Sequence, residues 1–206
     1  MTGPDSLALS IAQRFDIVDW RNARAILTSV HPDEWRQVCE VLGAFRLRWS
    51  DVTKKGKGNK SEMAGILDSG LYQMGWVEKQ FMTEIVVDDQ RRATPTHAVD
   101  CYKNRVALEV EWNNKDPFYD RDLNNFRLLF DLNVIDVGII VTRSTALQKW
   151  MKENFVLFGK QRETYGVSTT HADKLYPRIY GGGAGGCPVL VFAMKPEAYL
   201  DDRPID

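Results

Sequence analysis

Apolar residues recur along this chain in two rhythms, and the switch between them marks the elements. Leu7, Ile11, Phe15, Val18, Ile26 and Leu27 return at near-helical spacing, which predicts helix from residue 5 to about 30 with an interruption near Asp19-Trp20. After His31-Pro32, with proline tolerated in the first turn, Trp35, Val38, Leu42 and Phe45 line one face of a second helix. Residues 1–50 therefore predict a helical covering layer. Ser61 is placed to cap a helix over 62–74 that carries Met63, Ile66, Leu67, Leu71 and Met74 inward. From Trp76 the rhythm shortens to alternation. It predicts a strand to Val87, a turn at 88–92, and two paired strands over 94–101 and 106–112. A helix over 116–132 presents Phe118, Leu123, Phe126, Leu129 and Phe130, and Val134 to Thr142 runs apolar without a break, as a strand buried on both faces does. Ser144 begins another helix reaching about Phe158. A long polar loop with a glycine run spans 159–187, and Pro188 to Met194 forms the last strand. Strands alternating with helices predict an α/β fold: a central mixed β-sheet flanked by helices, in one domain with its core over 61–195.

Within this pattern, one hairpin carries the chemistry. In the strand 106–112, Val106, Leu108, Val110 and Trp112 share an apolar face, and Ala107, Glu109 and Glu111 share the other. Asp100, at the end of the preceding strand, reaches the same face if the two strands pair around Lys103-Asn104. Three carboxylates brought together repel one another, and a cation among them relieves the repulsion. Alternation alone also produces an amphipathic strand with a wet acidic face, so spacing by itself leaves both readings open.

The pattern Asp100, eight residues, Glu109-Val110-Glu111 resembles the core of the PD-(D/E)XK nuclease superfamily, and more narrowly the BglII, BstYI and BamHI group of type II restriction endonucleases. The likeness extends through Trp112-Asn113-Asn114, Pro117-Phe118, the strand Val137 to Arg143, and the segment 168–174, in the family's order over roughly residues 60–195. The resemblance implies a restriction-endonuclease-like fold and one or two Mg²⁺ ions per subunit. The ligands it implies are Asp100, Glu109 and the Val110 backbone carbonyl, with Glu111 as a further catalytic acid. Most superfamily members carry lysine where this chain has Glu111. A carboxylate cannot supply lysine's positive charge; it binds a second metal or takes a proton from water. Glu62, in the first turn of its helix, is a candidate fourth acid, although the helix dipole alone favours negative charge there.

Composition narrows the partners. The formal net charge over 206 residues is -1, so any nucleic-acid contact must use local positive charge. The densest such patch is 54–60, where Lys54, Lys55, Lys57 and Lys60 alternate with glycine and asparagine, a phosphate clamp or a solubilising loop. Asn113, Asn114 and Lys115 follow the acidic strand directly, and asparagine can pair with adenine N6 and N7 in the major groove. Arg143 and Ser144 stand at a strand-to-helix junction suited to anions. Ser168, Thr169, Thr170, His171 and Lys174 form a hydroxyl-rich segment suited to bases and backbone. The glycine run at 181–186 lacks the Lys-Ser/Thr of a phosphate loop and suggests a flexible hinge. The three cysteines are odd in number and widely spaced, which argues against disulfides and a cysteine zinc site. No apolar run approaches a membrane span and no signal peptide is evident, so the expected compartment is the cytoplasm.

Together these features predict a homodimeric, Mg²⁺-dependent endonuclease that cuts double-stranded DNA at a palindromic site and leaves 5′-phosphate ends. A target with a GATC core is the resemblance's suggestion. Helix 116–132 is a candidate dimer element, and a cognate DNA methyltransferase is the expected companion in the same host. The rivals are another superfamily nuclease, of the repair or junction-resolving kind, and a DNA-binding module that does not cut.

Overall fold

The structure, a computed structural model, describes residues 11–53, 61–93, 96–154 and 169–203. Its centre is a sheet of six strands in the order β1-β9-β8-β7-β6-β3. These are β1 (Phe15–Trp20), β3 (Val77–Lys79), β6 (Val99–Lys103), β7 (Val106–Glu111), β8 (Val137–Arg143) and β9 (Val189–Met194). β7, β8 and β9 run parallel, while β6 on β7, β3 on β6 and β1 on β9 are antiparallel. The sheet is mixed, as the alternation of strands and helices predicted.

Every residue of β7, β8 and β9 is buried, because both faces are covered. One face packs against helices α1 (Ala23–Val30), α2 (Pro32–Ala44), α4 (Glu62–Tyr72) and α6 (Thr145–Asn154), whose Leu27, Val38, Leu42, Leu67 and Leu147 meet Val106, Leu108, Val110 and Trp112 of the acidic strand. The other face lies under α5 (Pro117–Asp131) and α7 (Ala172–Tyr180), through Tyr119, Leu123, Phe126, Leu175 and Ile179. A short helix α3 (Trp49–Thr53) and the pair β2 (Leu47–Arg48) with β10 (Tyr199–Leu200) close one side. Ser61 caps α4 as expected, its Oγ accepting from Ala64 N at 3.3 Å.

Three sequence expectations change. Phe15–Trp20 lies inside the predicted first helix but is an edge strand paired with β9. Its backbone gains ladder hydrogen bonds, with Phe15 packed to one side of the sheet and Val18 and Trp20 to the other. The covering layer is therefore not wholly helical. The predicted strand 76–87 is two pieces: β3, and β4 (Glu84–Val87) in a separate hairpin with β5 (Gln90–Ala93). Asp88 and Asp89 make its turn, both at positive φ. The polar segment 159–187 contains α7, and its glycine run, though largely exposed, is held in turns by backbone hydrogen bonds instead of forming an open loop. Gly181 N and Gly183 N bond to Pro177 O and Arg178 O at 2.8 Å, closing the helix, and Ala184 and Cys187 are buried against α5. A Cβ on Gly185 would strike the Arg127 side chain. Lys54, Lys55, Lys57, Lys60 and Ser168 lie outside the described residues, as does the predicted continuation of α6 to Phe158.

Candidate active site

The site forms where β6 and β7 stop pairing. Their register runs Lys103↔Val106, Tyr102↔Ala107 and Cys101↔Leu108. The turn falls at Asn104-Arg105, one residue beyond the position expected, with both residues at positive φ. Past the last pair, carboxylates take over the backbone groups. Asp100 Oδ2 accepts from Val110 N at 3.0 Å, and Glu109 Oε2 accepts from Asp100 N at 3.3 Å. The two acids expected to converge thus interlock across the strand ends.

Glu109 and Glu111 do share a face, but that face is not wet. α5 lies over it, and each glutamate is 1% exposed. The same helix contributes an acid the sequence reading did not single out. Asp122 is fully buried, and its carboxyl lies beside that of Glu111. Asn114 Nδ2 donates to Glu111 Oε2 at 2.8 Å. Arg121 Nη2 reaches Glu111 Oε1 at 3.3 Å and Asp122 Oδ1 at 2.7 Å, and its guanidinium lies over the Phe118 ring at 4.3 Å. The Glu111 backbone is fixed as well: Thr142 Oγ1 donates to Glu111 O at 2.8 Å and is itself bonded to Tyr119 Oη at 2.6 Å.

Burial dominates the electrostatics here. It pushes the Glu109 carboxyl well above the usual carboxylate range, and the nearby Asp122 and Asp100 charges push the same way. Burial also raises Glu111, with Asp122 adding to it while Asn114 and Arg121 oppose. Asp122 is raised by burial against the pull of Glu111 and Arg121. Glu109, Glu111 and Asp122 therefore hold protons at pH values where free carboxylates would not.

Among the described residues, no group of three or more His, Cys, Asp or Glu side chains is gathered to hold a metal ion as it stands. Asp100 turns to the Val110 amide and Glu111 to Asp122 and Asn114, so the expected triad is split into two pairs. The donor set still fits a hard divalent cation. All its atoms are carboxylate oxygens, and the buried Glu109 Oε1 has no hydrogen-bond partner. Glu62 is exposed in the first turn of α4, and the fourth acid of the cluster is Asp122 instead.

The segment expected to read DNA lies beside this cluster. Lys115 bridges Thr169 in antiparallel fashion, and Thr170 N donates to Asn114 O at 2.8 Å, which joins the two candidate DNA-contacting stretches. Asn113 and Lys115 are exposed, Asn114 is turned inward onto Glu111, and Thr170 is buried. His171 is half-buried at the start of α7, and Lys174 Nζ lies 3.4 Å from Asp116. The structure gives Arg143 and Ser144 internal work in place of the anion contact expected. Arg143 is fully buried, donates to Thr169 Oγ1 and Thr170 O at 2.8 Å, and stacks over Trp112 at 5.3 Å. Ser144 caps α6, its Oγ accepting from Leu147 N at 3.0 Å. His97, on the loop before β6, accepts at its backbone carbonyl from Asn125 Nδ2 of α5 at 3.2 Å and lies within the electrostatic reach of Arg121, Asp122 and Asp100.

Sequence reasoning missed Asp122 and Arg121. The signal was present for Asp122: it shares the helical stripe of Tyr119, Phe126 and Leu129, an acid at an otherwise buried position. Arg121 gave no such signal, since its role depends on where Glu111 lies.

No helix among the described residues is long and apolar enough to cross a membrane. A search of curated proteins gives no match. A family model described as restriction endonuclease BglII/BglIII matches residues 15–194, from the first strand of the sheet to the last residue of β9. The matched span contains the whole six-stranded sheet and every acid of the cluster, and the chain belongs to the BglII/BglIII restriction endonuclease family.

Proposed function

We propose that this protein is a type II restriction endonuclease that hydrolyses both strands of a palindromic DNA site with Mg²⁺ and leaves 5′-phosphate ends. The observation that supports this most directly is the buried carboxylate cluster at the parting ends of β6 and β7, within a chain of this family. Asp100 and Glu109 would hold one Mg²⁺ together with the Val110 carbonyl, and Glu111 would hold a second ion or accept a proton. The bound cation supplies Lewis-acid stabilisation of charge on the phosphate and lowers the pKa of water near it.

The remaining steps belong to the chain. The water oxygen attacks phosphorus in line with the leaving 3′ oxygen. The P–O3′ bond breaks, and the water proton passes to Glu111 in the reading where that residue is the base. Asn114 fixes one Glu111 oxygen, so the carboxylate presents its other oxygen to the reacting group. Asn113 and Lys115, exposed beside the cluster, would contact DNA near the cut, joined by Thr169, His171 and Lys174 from the paired segment. The lysines of 54–60 and Ser168 remain proposed contacts on their sequence alone. Palindromic recognition calls for a two-fold protein, so we take the working form to be a homodimer. A methyltransferase of the same specificity would protect host DNA.

The test is digestion of a sequenced genome by the purified protein, with the ends mapped. Discrete fragments with one palindromic sequence and 5′-phosphates support the reading. Structure-selective nicking would instead point to a repair or junction enzyme, and binding without cutting in Mg²⁺ to a module. Asp100→Asn and Glu109→Gln should bind the site and leave it intact.

A further inference from the structure

We propose that Arg121 is a further catalytic residue, which leaves Glu111 and Asp122 when a divalent cation enters and places its guanidinium on the scissile phosphate. This deepens the nuclease reading above and rests on it. The cluster gathers Asp100, Glu109, Glu111 and Asp122, and Arg121 is the cation whose ion pairs reach into it among the described residues. A phosphate diester is itself an anion, so the acid cluster needs positive charge beyond a divalent ion to accept it. The strand position where related enzymes carry lysine holds Glu111, and the nearest charge of that sign arrives from the first turns of α5, at 3.3 Å from Glu111 Oε1.

Its setting suits movement between two anions. The Arg121 side chain is 32% exposed while its two acid partners are buried, so the guanidinium stands at the solvent edge of the cluster. Stacking over Phe118 at 4.3 Å gives the planar group a platform that does not depend on the acids. When those acids turn to a metal ion, they cease to compete for the guanidinium. Its paired N–H groups then match two phosphate oxygens in the way a guanidinium binds such anions. In the structure Arg121 supplies the positive charge that faces Glu111 and Asp122.

The experiment compares wild type, Arg121→Ala and Arg121→Lys on a cleavable duplex. Single-turnover rate is measured in Mg²⁺, DNA affinity in Ca²⁺, and affinity for Mn²⁺ alone by electron paramagnetic resonance. For Arg121→Ala, the expected result is a rate lower by about 100-fold, the loss typical of a donor to transition-state charge. DNA affinity should stay within about threefold, Mn²⁺ should bind as tightly as in wild type or tighter, and added guanidinium should restore part of the rate. Arg121→Lys should lie between. If Arg121→Ala does not fold, Arg121→Gln carries the same expectations. A variant that cuts within about threefold of wild type overturns the proposal, as does a rate loss matched by an equal loss of Mn²⁺ affinity, which would make Arg121 only a support for the acids. Wild type that cuts no DNA overturns the nuclease reading itself, so the two failures are told apart.

Discussion

The Glu111 carboxyl lies beside that of Asp122, the two sharing Arg121 Nη2 at 3.3 and 2.7 Å, although one ends a central strand and the other enters from the helix that follows. Two buried carboxylates in contact cannot both be ionised at low cost. The contact therefore stores an unfavourable charge state that rising pH brings out and that a divalent cation among the acids would relieve.

A pH dependence follows. Burial holds the Glu111 carboxyl at about 9 against the usual 4.5. A raised folded-state pKa means that the folded protein binds the proton more tightly than the unfolded chain. The stabilisation is complete below the unfolded value and is lost as pH rises through the folded one. Between roughly pH 5 and pH 9, the metal-free protein should lose about 5 °C of melting temperature. Mg²⁺ added at the alkaline end should recover most of it. Differential scanning calorimetry with and without EDTA checks both halves. A melting temperature flat across this window would remove the charge-storage account.

Asp122→Asn should act on the same stored charge. The amide keeps the side chain's shape and offers Glu111 a donor, and it removes one of the buried negative groups. Near pH 8 and without metal, we expect this variant to be more stable than wild type by about 1–2 kcal/mol, and near pH 5 no more stable. Urea titration at the two pH values measures the difference. Equal effects at both would mean that the Arg121 pairing, and not the acid–acid contact, governs the site.

How far the sequence reached can be seen on this same face. The alternation of Val106, Leu108 and Val110 against Ala107, Glu109 and Glu111 was legible because side-chain direction in a strand has period two. It placed the first set correctly against α2 and α4. It could not show that the acids are dry, because that depends on α5 packing across them, a contact between elements. Asp122 could be read as an acid on a buried helical stripe, but not as a neighbour of Glu111, for the same reason. Phe15–Trp20 misled through local spacing: Leu7, Ile11 and Phe15 continue a helical rhythm, while pairing with β9 decides the conformation from far along the chain. The family segments were legible as strings. That Thr170 pairs with Asn114, bringing the distant segment beside the acids, was not.

Arg143 was expected to meet an anion and is instead the anchor of that distant segment. Its guanidinium holds Thr169 and Thr170 and covers Trp112. Arg143→Ala leaves the Thr170 carbonyl without its donor and opens a space beside the indole. The expected cost is about 3 kcal/mol in denaturant unfolding. Arg143→Lys should recover little, since an ammonium cannot span both acceptors while stacking. If Arg143→Ala unfolds like wild type and only weakens DNA binding, the anion-contact reading is right after all.

The approach of α5 to the sheet that buries the acids depends on Gly138. A Cβ built on this β8 residue would overlap the ring of Phe126, which is fully buried one helical turn beyond Asp122. Gly138→Ala must push α5 outward or force the ring off its rotamer, at a cost of about 3 kcal/mol. Moving α5 also moves Asp122 and Arg121 away from Glu111, so cleavage should fall more than stability alone explains. Phe126→Leu, which shortens the side chain at the point of overlap, costs about 1–2 kcal/mol by itself through lost packing. In the double variant, the smaller side chain vacates the space that the new methyl needs. The combined loss should therefore be smaller than the sum by about 1–2 kcal/mol, and part of the cleavage rate should return. Unfolding free energies and single-turnover rates across the four proteins of this cycle give the coupling directly. Strict additivity in both measurements would show that the helix does not depend on the missing side chain for its position.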